Sequence, residues 1–455
     1  MTDMGSILTA EKIFSTLGLP STTSQIVVAY SGGLDSHVLL HLLYTYGQSF
    51  TPGLNLTAVH INHGLNRNAG SWAEHCRSVC LAMNIEYRQV EMDARAPQGE
   101  SQEAWARALR YEALQQFIQP GSVLMTAHHQ DDMAETLLIQ LFRGSGPAGL
   151  AAMPAQSVFG QGLHLRPLLE YPRSELYRYA QYHHLVWVED DSNADHRYDR
   201  NLLRHSFLPV VKQRWPAISR TLYRAARLQA GAASLLEEIG NTDMQACTVN
   251  NGRELRVSAI LELSGVRAAN MLRCWIRSRG FPMPTERQLT GIFTSVIAAG
   301  TDTNPCASWK GAELRRYRDY LFITTSLPIP PDPLLEIDWD LGIHCELVLG
   351  TLHAYPCNGE GISASKCSNN QLSVRFRRGD ELIKTAGHHH QLNKLYQQYG
   401  VASCYRDLVP LLYANDILVA IPGIVIADDY RARPDEAGWK IIWTESATVR
   451  PGCPD

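Results

Sequence analysis

Over the first two hundred residues, short apolar runs alternate with amphipathic stretches in a way that few folds can accommodate. Gln25-Ile-Val-Val-Ala-Tyr30, Leu56-Thr-Ala-Val-His-Ile61, Ile85 to Val90 and Ser122-Val-Leu-Met-Thr-Ala127 are bounded by polar residues and have the length and composition of strands. Between and after them, Ser36 to Tyr46, Ser71 to Asn84, about Ser101 to Ile118, and Asp131 to Phe142 place apolar residues at helical spacing. Strands separated by helices return to the same edge and pair in parallel, so the spacing predicts an α/β fold with helices on both faces of a parallel sheet. A chain of 455 residues is too long for one hydrophobic core and should form two or three domains.

The alternation fades after Trp187. Asp195 to Trp215 is polar and arginine-rich, Trp215-Pro216 interrupts it, and Ala217 to Ile239 reads as a long helix with more helical sequence to about residue 300. Four prolines within Ser326 to Pro333 mark an extended spacer, followed by short strand-like runs at Leu372–Arg377 and Ile417–Ile421. The expected division is a parallel-sheet domain over 1–215, a mainly helical domain over 216–325, a linker over 326–340 and a small α+β domain over 341–455. Gly387-His-His-His390 reads as a polar loop.

The first strand runs into Ser31-Gly32-Gly33-Leu34-Asp35-Ser36, with a helix following at once. Paired glycines allow a turn with positive φ that gathers backbone N–H groups, and the helix start and serine hydroxyls add further donors, a set suited to pyrophosphate. A phosphate loop of the Walker type ends in Gly-Lys-Ser/Thr; here no lysine follows, and Asp35 occupies the turn. An isolated Ser-Gly-Gly is only a common turn; the six-residue pattern after an apolar strand is more specific.

The fourth strand runs into Thr126-Ala-His-His-Gln-Asp-Asp-Met-Ala-Glu-Thr136. Ligands of parallel α/β sheets gather at the carboxyl ends of the strands, where this segment falls. Asp132 and Glu135, three apart, share a helix face. The carboxylates suit either a Mg²⁺ ion, with Asp131 and Asp35 the natural ligands, or a cationic amine; the bland alternative is that Asp131 and Asp132 only complement the helix dipole. Arg107 and Arg110 lie on one helix edge upstream, where an arginine can steady a phosphate, though surface arginines are common.

The formal net charge of −4 conceals a basic stretch: Arg197 to Arg227 holds eight basic residues against one acid, Asp199, a local charge of +7. Clustered charge of this kind attracts phosphate whatever the whole-chain total, unless it is merely a solvated helix face. No apolar run approaches a membrane span, and Met1-Thr-Asp-Met-Gly5 has neither the basic nor the apolar region of a signal peptide, so the expectation is a cytosolic protein. Ten scattered cysteines form no Cys-x-x-Cys pair and read as buried free thiols; the paired histidines lack partners at zinc spacing.

In this order, the loop at 31–36, His60-Ile-Asn-His-Gly-Leu65, Glu100-Ser through Arg110-Tyr111, His128 to Thr136, Arg143-Gly-Ser-Gly146, Arg166-Pro-Leu-Leu169, Asp191-Ser-Asn193 and Arg200-Asn-x-Leu-Arg204 resemble the tRNA(Ile)-lysidine synthetases, members of the PP-loop (N-type ATP pyrophosphatase) group. Val374 to Gly379 and Pro410 to Tyr413 resemble the C-terminal domain of that family. The resemblance implies a Rossmann-like PP-loop catalytic domain. It also implies ATP, Mg²⁺, free L-lysine and the CAU-anticodon tRNA(Ile) as reactants, the wobble cytidine being adenylated at O2 and lysine then displacing AMP. By resemblance, Ser31 to Ser36 would bind ATP, Asp35 and His128 would serve adenylation, and Arg107 and Arg200 would face phosphate and cytidine. Asp132 and Glu135 would bind lysine, and Arg143, Arg204, Arg220 and Arg224 would contact tRNA. A homodimer is one assembly the sequence leaves open. Leu392-Asn-Lys-Leu395 and Ser403-Cys404 depart from the family's Leu-Lys-Lys-Leu and Pro-Trp, which weakens the expectation of phosphate contacts there. A PP-loop thiolase would need reactive cysteines, a glutamine-dependent synthetase a nucleophilic N-terminal cysteine, and a non-catalytic tRNA binder would have no use for these acids.

Overall fold

β-Branched and apolar side chains at successive positions of Gln25–Ala29 (β1) leave neither face of that strand fit for water, and the chain places it inside a sheet. The computed structural model describes residues 8–445 apart from 18, 21, 50–54, 65–67, 100, 190–196, 301–302 and 369–371. It divides into two units, one up to Leu235 and one from Leu236 onward.

The first unit begins with α1 (Ala10–Leu17), β1 and α2 (Leu34–Ser49), then β2 (Leu56–Asn62), α3 (Ala69–Ala82), β3 (Glu86–Glu91) and α4 (Gln102–Gln115). It continues with β4 (Ser122–Met125), α5 (Gln130–Phe142), α6 (Pro147–Leu150), β5 (Gln156–Phe159), β6 (Gly162–Leu165), α7 (Arg173–Tyr182), α8 (Asp199–Leu202) and α9 (Leu208–Arg214). A π-helical turn over Leu203–Phe207 joins the last two, and α10 (Ile218–Cys247) carries the chain out of the unit. The sheet order is β3-β2-β1-β4-β6-β5, parallel except for the hairpin strand β5 at the edge. Alternation within β1 shows both faces covered. Ile26 and Val28 join a core with Val38 to Leu43 of α2, whereas Val27 joins Leu114 and Ile118 on the other side. The expected parallel sheet is there, with one antiparallel strand that the sequence reading did not separate.

The order of the sheet decides where the loops meet. β1, β4 and β6 are neighbours, so Ser31–Ser36, Thr126–His129 and Arg166 leave adjacent strands at the same edge.

In the second unit, helices over Val257–Glu262, Gly265–Ser278 and Glu286–Ile292 pack with a five-stranded antiparallel sheet around Trp275, Leu272, Ile292 and Leu314. The sequence reading named the helices here and missed the sheet, although Ala312–Tyr317 alternates strictly between buried and half-exposed positions. Residues 327–333 have no regular secondary structure, and within the expected linker Glu336–Asp338 already pairs as a strand with Ser373–Arg375. Among the described residues, a five-stranded, a four-stranded and a two-stranded antiparallel sheet form the C-terminal part. The histidines read as a polar loop are instead a strand, His388–Gln391, paired with Leu382–Thr385. The turn between them holds Ala386 and Gly387, both at positive φ, and the Asp428 carboxylate accepts from both their N–H groups. Among the described residues no helix is long and apolar enough to cross a membrane.

Candidate active site

The loop after β1 is shaped by its own hydroxyls. Ser36 Oγ donates to the Gly33 carbonyl at 3.0 Å and accepts from the Ser31 N–H at 3.2 Å, while Ser31 Oγ lies 3.0 Å from Ser36 Oγ. Gly32 takes φ +82°, and a Cβ there would lie 2.7 Å from Cys76 Sγ, so conformation and space both require glycine. The Val188 N–H donates to the Gly32 carbonyl at 3.0 Å and pins the loop from outside. α2 starts at Leu34, and its first-turn N–H groups have no carbonyl partner within the helix.

Asp35 stands at that helix start. Its Oδ2 lies 3.6 Å from His129 Nε2 and its Oδ1 3.5 Å from Arg173 Nε, but Oδ1 is buried and accepts no hydrogen bond among the described residues. A buried carboxylate oxygen without a donor is suited to a cation. Asp131 differs. Its Oδ1 accepts from Lys212 Nζ and Ser219 Oγ, both at 2.7 Å, and its Oδ2 accepts from the Arg173 N–H at 3.0 Å. Burial would push Asp131 up, but these donors outweigh it and hold the carboxyl down at about 2.

α5 is opened by a capping box between His129 and Asp132: the Asp132 N–H reaches His129 Nδ1 at 3.4 Å and the His129 N–H reaches Asp132 Oδ2 at 3.0 Å. The box turns Asp132 and Glu135 to one side, where a single guanidinium meets both. Arg204 Nε donates to Glu135 Oε1 at 2.7 Å, and its Nη2 donates to Glu135 Oε2 and Asp132 Oδ1, each at 2.9 Å. Arg200 Nε approaches Glu135 Oε2 to 3.6 Å. Burial pulls Asp132 up, but His129, His128 and Arg204 hold it down at about 2. For Glu135 burial prevails and its pKa stays raised even with Arg204 in place. Burial lowers His129, yet Asp132, Asp35 and Asp131 together raise it above its ordinary value. His129 thus links the loop of β1 to the acids of α5.

Beside this lies a basic basin. Arg107 stacks over Tyr111, its guanidinium 5.1 Å from the ring centre, and Arg110 reaches His63 Nε2 at 3.1 Å. Burial, with Arg166, Arg107 and Arg200 nearby, pushes His128 down to about 3 against the pull of Asp132. The ring is neutral at physiological pH.

The structure therefore brings together Asp35, His128, Arg107, Arg200, Asp131, Asp132 and Glu135 from the sequence reading. Arg204, expected among the tRNA contacts, lies on the acid pair instead, a pairing across 69 and 72 residues that no local signal announces. Arg143 is exposed, 3.9 Å from Asp199. Arg220 and Arg224 line a groove of about 450 Å³ with Thr221, Tyr223, Arg227 and Leu228. The sequence reading gave no role to His129, Arg173, Thr126 or His164, and counted Lys212 only as one cation of the basic stretch. Asp191-Ser-Asn193 lies outside the described residues.

Comparisons with known proteins bear on these contacts. A family model described as a PP-loop domain matches residues 7–211, one described as the TilS substrate binding domain 255–322, and one described as the TilS substrate C-terminal domain 372–443. The tRNA(Ile)-lysidine synthase of Coxiella burnetii is 37% identical over 441 residues, 96% of this chain and 97% of the relative. That of Alkalilimnicola ehrlichii is 42% identical over 442 residues, again 96% and 97%. Among solved structures, the U34-tRNA thiolase NcsA from Methanococcus maripaludis with its [4Fe-4S] cluster is 19% identical, with a TM-score of 0.41 over 49% of this chain and 77% of that one.

Proposed function

Since this chain belongs to the tRNA(Ile)-lysidine synthase family, we propose that it joins L-lysine to carbon 2 of the wobble cytidine of a CAU-anticodon tRNA(Ile), converting ATP to AMP and pyrophosphate. The observation that carries this reading is the bridge from Asp35 through His129 to Asp132, which sets a pyrophosphate loop beside a buried pair of carboxylates.

The chemistry then divides between the two sides of His129. Cytidine O2 attacks the α-phosphorus of ATP, a P–O bond forms, and pyrophosphate leaves toward Ser31, Gly32, Gly33 and Ser36, whose N–H and hydroxyl groups take up its charge. Arg107 and Arg200 would balance the negative charge gathering on the α-phosphate. Lysine then attacks carbon 2 through its ε-nitrogen; a C–N bond forms, the C–O bond breaks, and AMP departs. Asp132 and Glu135 receive the ammonium, in the position Arg204 now fills. Burial raises the Glu135 pKa above its ordinary value, which makes its carboxylate a better proton acceptor for that amine.

Mg²⁺ fits Asp35, whose Oδ1 lacks a donor, and would neutralise the phosphate oxygens there. Asp131 does not offer such a place, since a cation on its Oδ1 would have to displace Lys212; its part is to anchor Arg173 and Lys212 beside the loop. The groove around Arg220 and Arg224, with Arg143, is assigned to tRNA phosphates. Modification of a tRNA wobble base fits a cytoplasmic enzyme.

The test is pyrophosphate release by the full-length chain with ATP, L-lysine and a CAU-anticodon tRNA(Ile) transcript. Release should require the tRNA, and conversion to lysidine should require lysine. Equal release without tRNA would overturn the reading.

A further inference from the structure

From Arg166 to His128 runs a chain of hydrogen bonds with one allowed direction. Arg166 Nη2 lies 3.1 Å from His164 Nδ1, and its Nη1 donates to the Pro154 carbonyl at 2.7 Å. His164 Nε2 lies 2.8 Å from Thr126 Oγ1, which lies 2.8 Å from His128 Nδ1. Thr126, His164 and Arg166 are all buried.

A guanidinium has only donors, so His164 Nδ1 must accept and cannot carry a proton. The neutral ring then bears its hydrogen on Nε2 and donates to Thr126 Oγ1. Among the described residues the threonine hydroxyl has no acceptor other than His128 Nδ1, and a buried hydroxyl without one costs about 1–3 kcal/mol. Its proton therefore points to His128 Nδ1, which accepts in turn. A neutral imidazole with a bare Nδ1 has its hydrogen on Nε2, and no described residue takes that atom as a partner.

Building on the function proposed above, we infer that Arg166, His164 and Thr126 are positioning residues that fix the tautomer of His128, so that it offers an Nε2–H donor to an oxygen of the adenylation step. His128 is then a hydrogen-bond donor and not a general base at Nε2. The low proton affinity of both rings agrees, each being pushed down to about 3, first by burial. The Arg107 and Arg200 charges lie close enough to act on the ring, and the natural acceptor beside such cations is an oxygen gaining negative charge as the adenylate forms.

The experiment combines histidine-selective ¹⁵N NMR of the full-length protein with kinetics. In the unsubstituted protein at neutral pH, His128 should show a protonated Nε2 and a bare Nδ1, its signal identified by loss in His128→Gln. In His164→Leu the ring should exchange between tautomers. Pyrophosphate release should fall about tenfold in His164→Leu, as for other groups that orient a functional ring. It should recover largely in His164→Gln, whose Oε1 can accept from Arg166 while its amide donates to Thr126. Release in His128→Leu should fall about a hundredfold, the loss expected for one donor to a developing oxyanion. His128→Gln keeps an N–H donor without a tautomer choice, so it should lose only a few fold (~3–5), and His164→Leu should cost nothing more on that background. A proton on Nδ1 in the unsubstituted protein, or a further tenfold loss when His164→Leu is added to His128→Gln, would overturn the inference. The tautomer reading needs no substrate, so absence of tRNA-dependent release in the unsubstituted protein would count against the proposed function alone.

Discussion

Replacing Arg204 by leucine removes the side chain that pairs with Asp132 and Glu135 together. The Glu135 side chain is 1% exposed and that of Asp132 12%, so both lose a partner out of reach of bulk water. Breaking such a buried pair costs about 3–5 kcal/mol, and the low end applies because 28% of the Arg204 side chain meets solvent and Arg200 stays nearby. A loss of about 3 kcal/mol should lower the melting transition of the first unit by about 6–12 °C. Lysine should then restore part of it, since its ammonium supplies the missing charge; a ligand at a hundred times its Kd adds about 2.7 kcal/mol. In the unsubstituted protein the amine has to take the acid pair from Arg204, so the same lysine concentration should stabilise it less. The assay is thermal unfolding of both proteins with ATP present, titrated with lysine and with norleucine, which lacks the ε-amine. A larger lysine shift in Arg204→Leu, with none from norleucine, is the expected outcome. Equal lysine shifts in both proteins would show that lysine does not bind on Asp132 and Glu135.

Three further outcomes follow from the same geometry. Asp35→Ala should abolish AMP formation in a protein whose circular dichroism is intact, and near-normal turnover would remove Asp35 from the nucleotide site. Charge reversal at Arg220 and Arg224 should weaken tRNA binding and flatten its dependence on salt, leaving ATP affinity as it was; each lost phosphate contact lowers the log–log slope by roughly 0.7–0.9. Asp131 and Asp132 are both held at about 2, below the ordinary 3.8, so their stabilisation is complete only above about pH 5 and is lost progressively as pH falls through about 2. Asp131→Asn should shrink that acid-induced loss, as followed by urea unfolding between pH 2 and 5.

Much of the site was legible because local rules govern it. Ser31 to Ser36 advertises itself through paired glycines at a strand–helix junction, and the acids of α5 through their spacing after a buried strand. What stayed hidden depends on meeting across the fold. Arg204 looked like another member of a basic stretch, because nothing in that stretch records that a π-helical turn would point it at Glu135. His164 carries no signal in the sequence and gains its partners only when β6 is set beside β4. The hairpin at Leu382–Gln391 was hidden by its polar composition, which gives no apolar alternation to detect.

Almost everything that finishes the nucleotide loop is synthesised after it. β1 gains its second neighbour only with β4, the loop carbonyl of Gly32 waits for Val188, and Asp35 waits for Arg173. The acid pair waits longer still, for Arg204. At about 5–20 residues per second, a ribosome needs roughly eight to thirty-five seconds to pass from the loop to Arg204. Over that interval the loop has its glycines and serines from the start, and Arg173, Val188 and Arg204 are added to it one after another.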